Sequence, residues 1–376
     1  MRDYFDSGSP IRFLFPIDGD CINENDGTPL TDGVKITASV AAPVGHEIRI
    51  CGQQAETADG CFRAEVSVCG SETRLTAEDL TAGTSCGITV YRLPGAMGGY
   101  RLSSDDNILF LQDITAHQDE YRSIFDNPYL AVYKKAHELY GAKVHLNLFY
   151  AFDRASAASF SGERPDFDLS MMTDRFREEF IANSHWLKFS FHARSELPDC
   201  PYRYADGETV RRDCEAVHRE IIRFAGRESL SVGTTTVHWG EATEEGVRAL
   251  QQLGYRAMTG YFIPGEFPVA YYAPKDLIDY VYHRDFWKDR ETDVVFGRID
   301  LVLNCNTHEE NMEQLREIAA SPTRGGFVSL MIHEQYFYPD YVNYRPDFAR
   351  RVLEACAYLA EEGYAGRHVS EAVGLV

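Results

Sequence analysis

The sequence predicts an α/β protein in which a small all-β sandwich precedes a closed or nearly closed (β/α) barrel. Three observations carry this. Up to about residue 94, short segments with period-two alternation follow one another with no helical pattern between them. From residue 95 to 376, apolar strand-like runs alternate with amphipathic helical stretches. Several of those runs end in a histidine or a carboxylate, which is how a barrel of parallel strands builds an active site at its C-terminal mouth.

In the N-terminal part, residues 34–40, 46–50 and 62–68 alternate apolar and polar positions and are separated by Gly, Asp and Pro. They read as half-buried antiparallel strands of a sandwich. The stretch Leu93-Pro94-Gly95-Ala96-Met97-Gly98-Gly99 is the expected hinge, dividing the chain into 1–94 and 95–376. Beyond it, residues 143–149, 186–191, 232–237, 293–303 and 327–332 are candidate strands. Residues 215–224 carry a helical pattern. Residues 241–253 place Val247, Leu250 and Leu253 on one stripe before Gly254, and residues 348–359 do the same before Gly363.

Charge and cysteine usage narrow the function. The formal net charge is −21, a field that repels phosphate backbones and anionic lipid, so nucleic acid is not an expected partner. No apolar run approaches the ~18 residues of a membrane span. Met1-Arg2-Asp3-Tyr4-Phe5-Asp6 lacks the apolar core of a secretory signal, so a cytoplasmic location is expected. The nine cysteines are odd in number and form no Cys-x-x-Cys pair, which argues for reduced thiols over a disulfide framework or a zinc-thiolate site.

The candidate chemistry lies at the strand ends. Asp105 and Asp106 follow Tyr100-Arg101-Leu102-Ser103-Ser104. Alone they read as a solvated turn, but at a strand end both can reach one pocket, one as metal ligand and one as proton acceptor. His192 closes Phe189-Ser190-Phe191, and a helical turn there would put Glu196 on the same side at i+4, suiting two ligands of one ion. His238 and Trp239 end Thr234-Thr235-Thr236-Val237, where backbone N–H groups could meet an oxyanion. His333 follows Leu330-Met331-Ile332 and suits a general acid. Tyr336, Phe337, Tyr338, Tyr341 and Tyr344, with Tyr271 and Tyr272, offer flat faces for a sugar ring. Each histidine taken alone also reads as a packed core residue, and each ring as packing beneath a loop.

With these residues in place, residues 95–376 resemble the polysaccharide deacetylase (NodB-homology) family in divergent form. The resemblance implies a barrel of the distorted deacetylase type, and the N-terminal part weakly resembles the immunoglobulin-like modules of bacterial carbohydrate enzymes. Asp105 and Asp106 match the aspartate pair that closes the family's first motif, and His192 matches the first metal histidine. Glu196 stands where the second would be. Thr236-Val237-His238-Trp239-Gly240 occupies the place of an Arg-x-Pro-Tyr-Gly motif, so Thr236 replaces an arginine and His238 a proline. Leu250-Gln251-Gln252-Leu253-Gly254-Tyr255 matches the pattern that follows, and Leu330 to His333 the closing motif.

What the resemblance implies is a metal-dependent hydrolase that removes an acyl group from an amino sugar or related carbohydrate. Its ion, Zn²⁺ by expectation, is held by Asp106 and His192 with Glu196 or His238. Asp105 acts as base, His333 as acid, and Trp239 and Tyr336 face the oxyanion and substrate. Two rivals remain. One is a carbohydrate-binding barrel that has lost the chemistry; the other is a glycoside hydrolase pairing Asp105 with Glu241 or Glu334.

Overall fold

The computed structural model describes residues 3–265 and 269–374. Its N-terminal part contains two five-stranded sheets. One is built on Arg12–Phe15, Gly33–Ala41, Cys61–Cys69 and Glu56–Ala58, with Thr28–Leu30 beside Gly33–Ala41. The other holds Cys21–Ile22, Thr84–Arg92, Glu72–Asp79, Ile48–Ile50 and Gln53–Gln54. The alternation in the sequence decides which face is buried. Val34, Ile36, Ala38 and Val40 point inward, and Val66 and Val68 pair opposite Ile36 and Val34. Leu75, Ala77 and Val90 complete the same apolar core from the second sheet.

Parallel strands dominate the rest. Gly99–Asn107 lies at the centre of a six-stranded sheet, between Val144–Phe149 and Phe327–His333, with Leu187–Ala193 and Leu301–Val302 outside them. Ala365–Gly366 pairs with the start of Gly99–Asn107. A four-stranded sheet holds Thr234–Thr235, Ala257–Gly260 and Val294–Arg298 in parallel, with Phe286–Asp289 antiparallel at its edge.

The sequence led us to expect a closed or nearly closed barrel; the hydrogen-bond ladders form two separate sheets, with a break between them. Two features explain the break. Thr234–Thr235 offers only two ladder residues, and the side chain of Thr235 bonds across the seam, to Ser190 Oγ at 3.1 Å and to the Phe191 carbonyl. The run expected to be one strand over 293–303 is two: Val294–Arg298 stays in one sheet and Leu301–Val302 enters the other. At that crossing Asp300 takes Arg298 Nη1 at 3.2 Å and the Ser329 N–H at 2.9 Å.

Three of the longer helices begin at side-chain caps. Thr243 Oγ1 accepts the Gly246 N–H, so the helix expected from residue 241 starts at Glu244 and runs to Gln252. Asp206 caps Gly207–Ala225 and Thr307 caps His308–Ala319. No helix among the described residues is long and apolar enough to cross a membrane.

The N-terminal strands lie against the α/β part. Lys288 N–H donates to the Gly19 carbonyl at 2.8 Å and Trp287 Nε1 to the Asp18 carbonyl at 2.9 Å. At the centre of this junction Arg284, 5% exposed, bonds Asp20 Oδ1 at 2.9 Å, Asp26 Oδ2 at 2.8 Å and the Cys21 carbonyl at 3.1 Å. Removing the guanidinium would leave two buried carboxylates facing each other. Arg284→Met is expected to cost about 3–5 kcal/mol in chemical denaturation. Adding Asp20→Asn and Asp26→Asn should recover part of the loss; an unchanged denaturation midpoint in Arg284→Met would contradict this account.

Candidate metal centre

A β-bulge sets how the two aspartates are presented. The ladder between Gly99–Asn107 and Val144–Phe149 jumps after Ser104 and resumes at Asn107, and Asp106 takes a left-handed φ of 61°. Aspartate tolerates that conformation better than most residues. The extra residue brings Asp106 to the cavity lined by His192 and His238. Asp105 Oδ1 accepts Asn147 Nδ2 at 2.6 Å, while Asp106 Oδ1 lies 2.9 Å from His192 Nε2.

His192 sits one residue before the end of Leu187–Ala193, and His238 opens the single turn His238–Gly240. His238 Nδ1 is 3.1 Å from His192 Nε2 and 3.2 Å from Asp106 Oδ1. Each ring is oriented from behind. His192 Nδ1–H donates to the Thr236 carbonyl at 2.5 Å, and His238 Nε2–H donates to the Glu196 carbonyl at 3.1 Å. Three buried ligand atoms thus converge, and among the described residues theirs is the one cluster of three or more acidic, histidine or cysteine groups close enough to hold an ion. Ligands about 2.0–2.1 Å from a tetrahedral Zn²⁺ would be about 3.3 Å apart, so the donor set fits a divalent cation.

Electrostatics favour the charged pair in the absence of an ion. Burial pushes the Asp106 carboxyl up, but hydrogen bonds from His192 and His238 and the nearby His333 outweigh it and hold it well below 3.8. Burial pulls His192 down, yet the charges of Asp105 and Asp106 and the bonds to Asp106 and Thr236 raise it above 6.5.

Glu196 does not join the cluster. The chain leaves Leu187–Ala193 in a bend, without the helical turn that would have stacked Glu196 over His192, and Pro198 follows at once. Its Oε2 instead accepts Gln335 Nε2 at 2.9 Å, and burial, aided by the Asp106 charge, pushes its carboxyl up to about 8. The second imidazole at the centre is therefore that of His238, from the next strand. His333 Nδ1 bonds Asn304 Oδ1 at 3.0 Å, leaving Nε2 toward the site, 3.9 Å from Asp106 Oδ2. Trp239, left-handed at φ 63° and 42% exposed, and Tyr336 line the same cavity.

Other candidates serve the scaffold. Glu334 is fully buried and accepts the N–H groups of Ile108, Leu109 and Phe110 at 2.6–2.9 Å, capping the helix Leu109–Ala116. Glu241 is 3.3 Å from Arg203 Nε. Phe337 packs on Tyr129 and Phe348, Tyr338 donates to Glu334, and Tyr271 donates to the Thr259 carbonyl. Of the tyrosines after His333, Tyr336 and Tyr341 line the cavity.

Sequence reading missed Gln335, Asn147, Asn304 and Arg101. Gln335 Nε2 donates to both Asp106 Oδ2 and Glu196 Oε2, each at 2.9 Å. Arg101 Nη2 donates to Thr236 Oγ1 at 2.8 Å. A signal existed for two of them: Arg101, Ser103 and Asp105 alternate along one strand, as His145 and Asn147 do along the next, so each pair of elements shows one polar face within a buried strand.

Zn²⁺ should bind the metal-free protein, and His192→Ala or His238→Ala should weaken it by more than the 10- to 100-fold typical of an outer partner. Affinity should fall as pH drops through the raised His192 value, because the proton competes with the ion. In the metal-free protein, the depressed Asp106 value stabilises the fold above 3.8, and this is lost as pH falls further. The raised His192 value stabilises it below 6.5, and this is lost as pH climbs through the folded value. Both contributions are complete only between those limits and fade beyond them, so thermal melts of Asp106→Asn should show the largest deficit there. A deficit that is flat with pH would contradict the pairing.

No protein-family profile matches the chain, and no curated protein matches it. Solved structures resemble it at low identity. A CE4 family pseudoenzyme from Bacillus anthracis is 8% identical, with a TM-score of 0.34 over 74% of this chain and 66% of that one. A peptidoglycan N-acetylglucosamine deacetylase is 8% identical, at 0.36 over 75% and 90%. A 4-alpha-glucanotransferase from Thermococcus litoralis is 9% identical, at 0.45 over 75% of this chain and 41% of its own length.

Proposed function

We propose that the protein is a metal-dependent hydrolase that cleaves the N-acyl bond of an amino sugar or a related amide. The observation that carries the reading is the convergence of Asp106 Oδ1, His192 Nε2 and His238 Nδ1 within 2.9–3.2 Å of one another, with Asp105 and His333 on either side. A cation held by those three atoms, Zn²⁺ by its ligand types, would supply Lewis-acid polarisation and an acidified water.

The remaining work falls to the chain's own groups. Asp105, held by Asn147, takes the proton from the attacking water as the new C–O bond forms. The backbone around Trp239 faces the developing oxyanion. His333, anchored by Asn304 through Nδ1, delivers a proton from Nε2 to the amine as the C–N bond breaks. Products are a carboxylic acid and a free amine. We read residues 1–94 as an immunoglobulin-like module that covers one side of the catalytic part and takes no role in the chemistry.

The expected outcome is Zn²⁺-dependent release of amine from N-acyl glucosamines. Asp105→Asn should lower kcat by about 10²–10⁴-fold, the usual contribution of a general base, with Zn²⁺ affinity little changed. Binding of glycan without turnover, unaffected by Asp105→Asn and by chelation, would replace this reading with that of a carbohydrate-binding protein.

A further inference from the structure

The cavity beside the metal centre has a character that a simple acetamido sugar does not need. Its volume is about 470 Å³, in the range of pockets that enclose a drug-sized molecule. Asp106, His192 and His238 occupy one end. The remaining wall is formed largely by Trp239, Ile263, Val269, Val302, Tyr336 and Tyr341. Trp239 and Ile263 are 42% and 50% exposed, two large apolar groups left in water at the edge of the site.

The polar groups of the lining, among them Glu196, Gln335, His333 and the hydroxyls of Tyr261, Tyr336 and Tyr341, leave Ile263, Val269 and Val302 as an aliphatic strip. A sugar ring presents several hydroxyls, and each one buried without a partner is costly. Among the described lining residues, Gln335 Nε2 is already committed to Asp106 and Glu196, and His333 Nδ1 to Asn304. No lysine, arginine, asparagine or serine lines this cavity among the described residues. The strip of Ile263, Val269 and Val302 offers a sugar hydroxyl no partner and matches a carbon chain.

We propose that the pocket binds an aliphatic acyl chain of medium length, so that the preferred substrate is a fatty N-acyl amine, with the chain lying along Ile263, Val269 and Val302. This rests on the hydrolase reading for the bond that is cut. The preference for a chain, however, belongs to the pocket and holds with the metal removed.

The test is calorimetric titration of the metal-free protein with N-acetyl-, N-butanoyl- and N-octanoylglucosamine, each below its critical micelle concentration. Each methylene removed from water is worth about fourfold in affinity. We expect the octanoyl compound to bind at least about tenfold tighter than the acetyl compound, since the chain will not bury fully. Ile263→Asp and Val269→Asp should erase that gain while Zn²⁺ affinity stays within about twofold of the unmodified protein. Equal affinities across the series, tightest binding of the acetyl compound, or no binding of any member would each overturn the proposal. Turnover is read separately on the Zn²⁺-loaded protein. A clear chain-length preference without release of amine would sink the hydrolase reading and leave the acyl pocket standing; turnover with no chain preference would do the reverse.

Discussion

A single buried guanidinium holds the two sheets in register beneath the metal centre. Arg101, 2% exposed, lies on the central strand and reaches across the interior, donating to Thr236 at 2.8 Å on one side and to Ser329 at 3.2 Å on the other. Thr236 in turn shares a proton with Thr259 at 2.6 Å. Burial pulls the guanidinium down to about 10, with the Asp105 charge opposing, so it stays protonated near neutrality. A buried cation is tolerated only with its countercharge and acceptors in place. That requirement constrains Asp105, four residues further along the same strand, as well as the threonines. Arg101 brings a guanidinium to the Thr236 side chain from a different strand.

The same logic extends through the interior. Asn147 Oδ1 accepts Ser190 Oγ at 2.6 Å, and Ser190 also contacts His145 Nε2 at 2.8 Å. Asn147, Ser190 and His145 are each bonded to a neighbour on an adjacent strand, and breaking one link would leave its partner buried and unpaired. The lattice therefore specifies which strand lies beside which, a task apolar packing alone performs loosely. Above it, Glu334 ties the end of Phe327–His333 to the helix that starts just after Asp106. The acid candidate His333 and the ligand Asp106 are thus fixed by one carboxylate that touches neither reaction partner. Its sequence neighbour Gln335 completes the arrangement from the opposite direction.

Much of this was legible in the sequence because strand periodicity is a short-range property. The segments 34–40, 62–68 and 327–332 fall on observed strands, and the strand-end histidines His192, His238 and His333 line one cavity. The errors share a cause: each turned on where the backbone departs from regular geometry. How Asp105 and Asp106 are presented depended on a bulge, which no side-chain pattern announces. Glu196 was placed by assuming a helical turn that the chain does not make. The break in the sheet comes from Thr234–Thr235, whose polar side chains bond sideways across the seam; from sequence alone they pass for ordinary strand residues. Glu334 looked like a site carboxylate because it follows His333, but strand alternation sends it to the other side, into a helix cap.

The placement of His238 has a mechanical consequence. Two histidines one helical turn apart would anchor a cation to one segment. Here His192 ends a strand of the six-stranded sheet, while His238 follows the edge strand of the four-stranded sheet. Between those strands the backbone pairing is reduced to an isolated bridge, Phe189 with Leu230. An ion shared by the two imidazoles and Asp106 would span the seam that the ladders leave open. Ligand binding energy in such an arrangement is also packing energy, because the unfolded or parted chain presents no preformed site. The bond from His192 to the Thr236 carbonyl crosses the same gap and orients the ring for the ion. The arrangement of the Asp106, His192 and His238 cluster and the contact between the two sheets are therefore set by the same few contacts.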